Sequence, residues 1–218
     1  MTDSLRLLPM VQAPPPTVPA VFERIAVVGL GLVGGSIALA ARKAWPASLV
    51  IGVDRNAVLE RAMIRHAVDV ASEDLVIISD ADLVVLATPP EAALEIIPIL
   101  DRTLASDAVI TDVGSMKGEV ARAARALPPR LPFVGGHPLT DETDGGIDDA
   151  RSSLFAGRPW LLVDETRERP DVTAKLVEFV EGLGATPVTV ASVADHDRLV
   201  SFLRSRVPAA ENGGSEQA

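Results

Sequence analysis

Short, wholly apolar runs alternate with longer amphipathic or alanine-rich segments along most of this chain. Ile25-Ala26-Val27-Val28 and Leu83-Val84-Val85-Leu86-Ala87 are apolar at consecutive positions, the pattern of strands buried on both faces of a parallel sheet. The pattern predicts strands over residues 24–28, 49–53, 83–87, 108–111, 133–135, 160–163 and 186–190. Between them, helical spacing predicts helices over 34–44, 57–66, 91–99, 117–126 and 172–183. A strand–helix–strand rhythm of this kind implies an α/β fold, a doubly wound parallel sheet with helices on both faces. Residues 21–191 form the predicted domain. Residues 192–206 read as the start of a C-terminal helix, a truncated linker into something further. Pro14, Pro15, Pro16 and Pro19 mark 1–20 as a disordered tail, and the polar run 207–218 reads as a second one.

The first strand runs into Gly29-Leu30-Gly31-Leu32-Val33-Gly34, a G-x-G-x-x-G turn, and the second ends in Asp54, 20 positions after Gly34. Strand, turn, helix, strand and acid in that order are the signature of a Rossmann-type dinucleotide site. Each part has a mechanical reason. Gly29 permits the tight turn, Gly31 lets backbone approach a pyrophosphate, and Gly34 lets helix and strand pack closely. Leu32 and Val33 stand at the helix N-terminus, whose free N–H groups and partial positive charge suit phosphates. Asp54 accepts hydrogen bonds from ribose hydroxyls. Its carboxylate would repel a 2′-phosphate, so the expected cofactor is NAD, with Arg55 beside it keeping NADP open.

Composition narrows the partners. The net charge is −10, which argues against nucleic acid. It also means that an anionic ligand depends on local positive charge. There are no cysteines, which excludes disulfides, thiolate catalysis and zinc–thiolate sites. No apolar run reaches the ~18–20 residues of a membrane span, and the N-terminus lacks a basic-then-apolar leader. The expectation is a cytoplasmic protein with a small-molecule substrate, no nucleic-acid or membrane partner and no metal site.

Ligands of doubly wound folds sit beyond the C-terminal ends of the strands, so the residues there are the candidates. Thr88 and Pro89 follow the third predicted strand and would pass near the cofactor riboses. Asp112, Ser115 and Lys117 follow the fourth, Asp112 as a candidate for the cofactor and Ser115 and Lys117 for the substrate. Ser115 suits either a helix cap or a substrate hydroxyl. Lysine occurs only three times against 17 arginines, a mild hint that Lys117 has a purpose. His137 follows Gly135-Gly136 after the fifth strand, and an imidazole is a natural base near neutral pH. It also suits a structural role. His66 reads as solvated, and His196, between Asp195 and Asp197, as a cap or interdomain contact. Three scattered histidines give no metal-ligand spacing. Asp141-Glu142-Thr143-Asp144 reads as a solvated loop.

Taken together, several segments resemble the prephenate/arogenate dehydrogenase family. They are Val28 to Ser36, Gly52-Val53-Asp54, Leu86-Ala87-Thr88-Pro89-Pro90, Asp112-Val113-Gly114-Ser115-Met116-Lys117, Gly135-Gly136-His137-Pro138, Leu154-Phe155-Ala156-Gly157-Arg158-Pro159-Trp160 and His196-Asp197-Arg198. The resemblance implies oxidation of the ring carbinol of prephenate or arogenate, with hydride passing to NAD(P)+ and the ring carboxylate leaving as CO2. It implies that His137 accepts the hydroxyl proton, that Ser115 positions the hydroxyl and the histidine, and that Lys117 faces the substrate. Two departures are visible. Leu139-Thr140-Asp141 replaces the family's usual Met-Ala-Gly, and Ser201-Phe202-Leu203-Arg204-Ser205 stands where the family has S-H-L-P-H leading into a helical dimerisation domain. Without that domain the expected state is a monomer or weak dimer, with Arg151 and Arg158 as the remaining counter-charges for an anionic substrate. A catalytically weak or inactive dinucleotide-binding module is the alternative.

Overall fold

The computed structural model describes residues 19–142, 144–165 and 169–206. The two predicted disordered tails lie almost wholly outside these residues. One eight-stranded sheet organises the chain in the order β3-β2-β1-β4-β5-β6-β7-β8. Its strands are β1 (Arg24–Val28), β2 (Leu49–Val53), β3 (Val70–Ser72), β4 (Leu83–Leu86), β5 (Val109–Asp112), β6 (Phe133–Pro138), β7 (Pro159–Val163) and β8 (Thr186–Val190). The helices are α1 (Leu32–Ala44), α2 (Asn56–Ile64), α3 (Pro90–Ile96), α4 (Leu100–Thr103), α5 (Lys117–Ala124), α6 (Pro170–Gly182) and α7 (Val193–Arg206). Among the described residues, no helix is long and apolar enough to cross a membrane.

The wholly apolar strands feed two cores at once. Ile25 and Val27 of β1 pack into one cluster, with α1, Trp45 and Phe179. Ala26 and Val28 pack into the other, with Ile97, Leu100 and Val120. Leu83 and Val85 of β4 join the first cluster, and Val84 and Leu86 the second. Successive side chains of a strand point to opposite faces, so a strand with helices above and below must be apolar throughout.

Two features depart from the predicted sheet. β3 was not legible: its three half-buried residues are too short for a pattern. The sheet is also not parallel throughout, because β6 pairs with β7 antiparallel while β7 and β8 are parallel to each other. A parallel return needs a crossover, usually a helix. Among its described residues, the 139–158 connection contains a single 3-10 turn, Ile147–Asp149, and no crossover helix, so the chain turns back along the sheet. The connection is held across the start of α1. Ile147 and Ala150 pack where a Cβ on Gly35 would stand, and the Arg151 N–H donates to the fully buried Ser36 hydroxyl.

Strand order reverses between β1 and β4, with β2 on one side of β1 and β4 on the other. The C-terminal ends of β1, β4, β5 and β6 lie along one edge, because these strands are mutually parallel. The crevice at such a reversal is where doubly wound folds bind ligands.

Candidate active site

The glycine turn sits at the reversal point. Gly29 has φ +91°, a left-handed conformation that glycine adopts without strain. A side chain there would also strike the Ala87 carbonyl oxygen at 2.6 Å. Gly34 lies directly under the turn: a Cβ would be 1.9 Å from the Gly29 carbonyl oxygen. Gly31 is different. It is an extended N-cap with no side-chain cap, and a Cβ on it would meet nothing closer than the Gly145 carbonyl oxygen at 3.6 Å. Two of the glycines therefore shape the turn, and the third leaves space above it.

Asp54 reaches back to this turn. The Leu30 N–H donates to its Oδ2 at 2.7 Å, and the Arg55 N–H donates to its Oδ1 at 2.7 Å. The Arg55 side chain is 86% exposed. Leu32 is buried and its N–H donates to the Gly145 carbonyl at 3.1 Å, while Val33 beside it is half-buried. Thr88 stands next to Gly29, with its Oγ1 buried and unpartnered among the described residues. Pro89 is exposed and caps α3, whose first residue is Pro90. A positive-φ turn, space above Gly31, a partly buried acid on the next strand and an orphaned hydroxyl fit a dinucleotide. A phosphate seated at the start of α1 would take over the donor now bonded to Gly145.

The next strand end is closed by an ion pair. Lys117 and Asp112 were expected to face substrate and cofactor, yet their side chains are only 1% and 3% exposed, and the ammonium donates to Asp112 Oδ2 at 2.5 Å. The same Oδ2 accepts from the Gly114 N–H, and Oδ1 from the Gly136 N–H, both at 3.2 Å. Burial pulls the Lys117 amine below its ordinary value, and the Asp112 charge offsets part of that. In this ligand-free arrangement the pair ties the ends of β5 and β6 together. Ser115 is exposed on the loop between them, and no side-chain bond caps α5, so the capping role does not hold.

His137 lies inside β6, where the sequence suggested the loop after it, and is 9% exposed. Its Nδ1 is 2.9 Å from Nε2 of His196, which is fully buried on α7. His196 Nδ1 is in turn 2.8 Å from Asp197 Oδ1. The sequence reading missed this partner, although the acid beside His196 was a visible signal. His66 is exposed and has no part in the site. Arg151 and Arg158, the expected counter-charges, pair with Glu142 and Asp141, each at 2.7 Å, on the connection's own acidic run. A cavity of about 700 Å³ opens between α5, β6 and the end of β7, but neither the glycine turn nor His137 lines it.

A doubly wound sheet with a glycine turn at its reversal point and a buried histidine on the same edge defines a Rossmann-type nucleotide-binding domain. Residues 37–189 match the family described as "Prephenate dehydrogenase, nucleotide-binding domain", and the chain belongs to that family. It is 32% identical over 181 residues to the prephenate dehydrogenase of Lactococcus lactis subsp. cremoris (strain MG1363), covering 82% of this chain and 49% of that protein. The prephenate dehydrogenase of Bacillus subtilis (strain 168) is 32% identical over 185 residues, covering 83% of this chain and 50% of its own. The chain thus spans about half the length of the curated relatives it matches. Among solved structures, Synechocystis arogenate dehydrogenase superposes with a TM-score of 0.75 at 34% identity, covering 83% of this chain and 63% of that one.

Proposed function

We propose that this chain is the nucleotide-binding part of a dehydrogenase that oxidises prephenate or arogenate, with decarboxylation. The observation that carries the reading is His137: a buried, partnered imidazole on the sheet edge that also carries the glycine turn, in a chain of this family. Gly29, Gly31, Gly34, Asp54 and Thr88 would hold NAD+, which when bound accepts the hydride from the ring carbinol. The residues do the rest. His137 takes the hydroxyl proton as the carbinol carbon becomes carbonyl-like, and the ring carboxylate leaves as CO2 because aromatisation drives the loss. Ser115, exposed beside this edge, orients the ring hydroxyl. Little covalent chemistry is asked of the protein, which mainly orients its reactants and accepts one proton.

The test is to mix the purified chain with NAD+ and prephenate, then arogenate, and follow absorbance of the reduced nicotinamide. Turnover is expected, falling about 100-fold or more in His137→Asn, the loss typical of a general base, while NAD+ binding by calorimetry is unchanged. Nucleotide binding with no turnover on either substrate would replace the enzyme with an inactive binding module.

Cofactor choice follows from Asp54. Its carboxylate beside the turn disfavours a 2′-phosphate, so wild type is expected to bind NAD+ more tightly than NADP+. Asp54→Ser should narrow that difference about tenfold or reverse it, with exposed Arg55 free to meet the phosphate. Equal affinities for the two cofactors in the wild type would remove Asp54 as the discriminator.

A further inference from the structure

Asp197, His196 and His137 form a chain of hydrogen bonds whose direction is set at one end. An ionised carboxylate can only accept, so the proton between Asp197 Oδ1 and His196 Nδ1, 2.8 Å apart, belongs to His196. In a neutral ring the other nitrogen is then bare. His196 Nε2 must therefore accept, and the proton shared over the 2.9 Å contact belongs to His137 Nδ1. What remains on His137 is a lone pair at Nε2. The opposite assignment would turn a bare His196 nitrogen toward the carboxylate. His196 is fully buried and His137 nearly so, and water cannot relieve such a mismatch.

We infer that His196 and Asp197 are positioning residues that hold His137 in the tautomer whose Nε2 is the proton acceptor. The use of that nitrogen as a base rests on the function proposed above. Asp197 anchors the chain at 62% side-chain exposure, so no charge is buried to do so. Its neighbour Asp195 does not compete for the ring, since it accepts from Arg198 at 2.6 Å and from the Ser192 hydroxyl at 2.7 Å. Once His137 has taken a proton at Nε2, its Nδ1–H bond to His196 becomes charge-assisted, which strengthens it. The neutral tautomer and the protonated state are thus both favoured by one pair of residues, the nearer of them 59 positions away in sequence.

The experiment reads tautomers directly. Long-range 1H–15N correlation spectra of the 15N-labelled full chain, above the pH at which the imidazoles are charged, resolve its three histidines. The expected result is a single tautomer for His137 and for His196, each with a protonated Nδ1 and a bare Nε2. Asp197→Ala, at an exposed position and with its fold checked by circular dichroism, should turn both patterns into mixtures. A proton on Nε2 of His137 in the wild type, or patterns unmoved by Asp197→Ala, would overturn the inference. A second readout applies where the chain turns over: Asp197→Ala should lower kcat about tenfold at constant KM, the pattern of a carboxylate that orients a catalytic imidazole. A change in KM alone would count against it. An inactive chain with the expected tautomers would sink the proposed function but leave the relay standing.

Discussion

Lys117→Met is expected to lower folding stability by about 3–5 kcal/mol, the cost of stripping one partner from a buried ion pair. Methionine fills nearly the same volume, so the loss measures charge and not a cavity. The Asp112 carboxylate would stay 3% exposed with two backbone N–H groups and no cation. Its two oxygens tie the loop after β5 to Gly136, immediately before His137, so the change should be felt at the imidazole as well as in the midpoint. Urea unfolding gives the number directly, provided the slope is unchanged. Asp112→Asn combined with Lys117→Met should recover more than half of the loss, because no uncompensated charge then remains. A single-variant cost under about 1 kcal/mol, the range of exposed pairs, would mean that the pair is open to water.

Gly34→Ala is expected to unfold the glycine turn outright. The added carbon would overlap a backbone oxygen at 1.9 Å and Ala87 Cβ at 2.9 Å. Neither is the far end of a flexible side chain, so α1 must move off β1. The cost should exceed the ~1–3 kcal/mol usual for overpacking. Gly31→Ala is the matched control. Its extended backbone accepts alanine and its nearest neighbour is at 3.6 Å. Thermal stability should therefore hold within about 0.5 kcal/mol, as for other substitutions that touch nothing. Under the function proposed here, NAD+ affinity in Gly31→Ala should fall at least tenfold, because the methyl occupies the space a pyrophosphate needs. Melting by circular dichroism and binding by calorimetry separate the two. A stable Gly34→Ala, or a Gly31→Ala that binds NAD+ as the wild type does, would reverse the division of labour between these glycines.

Much of the site was readable because its parts are local. The glycine turn, the helix after it and Asp54 lie within one strand–helix–strand unit, and their spacing states their geometry. For other residues the sequence showed the place but not the surroundings. Lys117 and Asp112 sit at the predicted strand end, yet burial turned them toward each other. A signal existed: a lysine in the first turn of a helix opposes the helix dipole, which points to a specific acid nearby. The antiparallel β6–β7 pair left no such trace, since a strand buried on both faces reads the same in either direction. His196 was the largest omission, because its contact with His137 spans 59 residues and is made only when α7 packs onto β7 and β8.

The amino-acid order by itself determined the elements, the two-faced apolar strands, the nucleotide turn and the family, all of which rest on neighbours within a few dozen residues. Tertiary structure alone decided which polar groups would be ties and which a site. Whether an imidazole, an amine or a carboxylate meets water, a ligand or another buried charge depends on the side chains that folding brings to it from elsewhere in the chain.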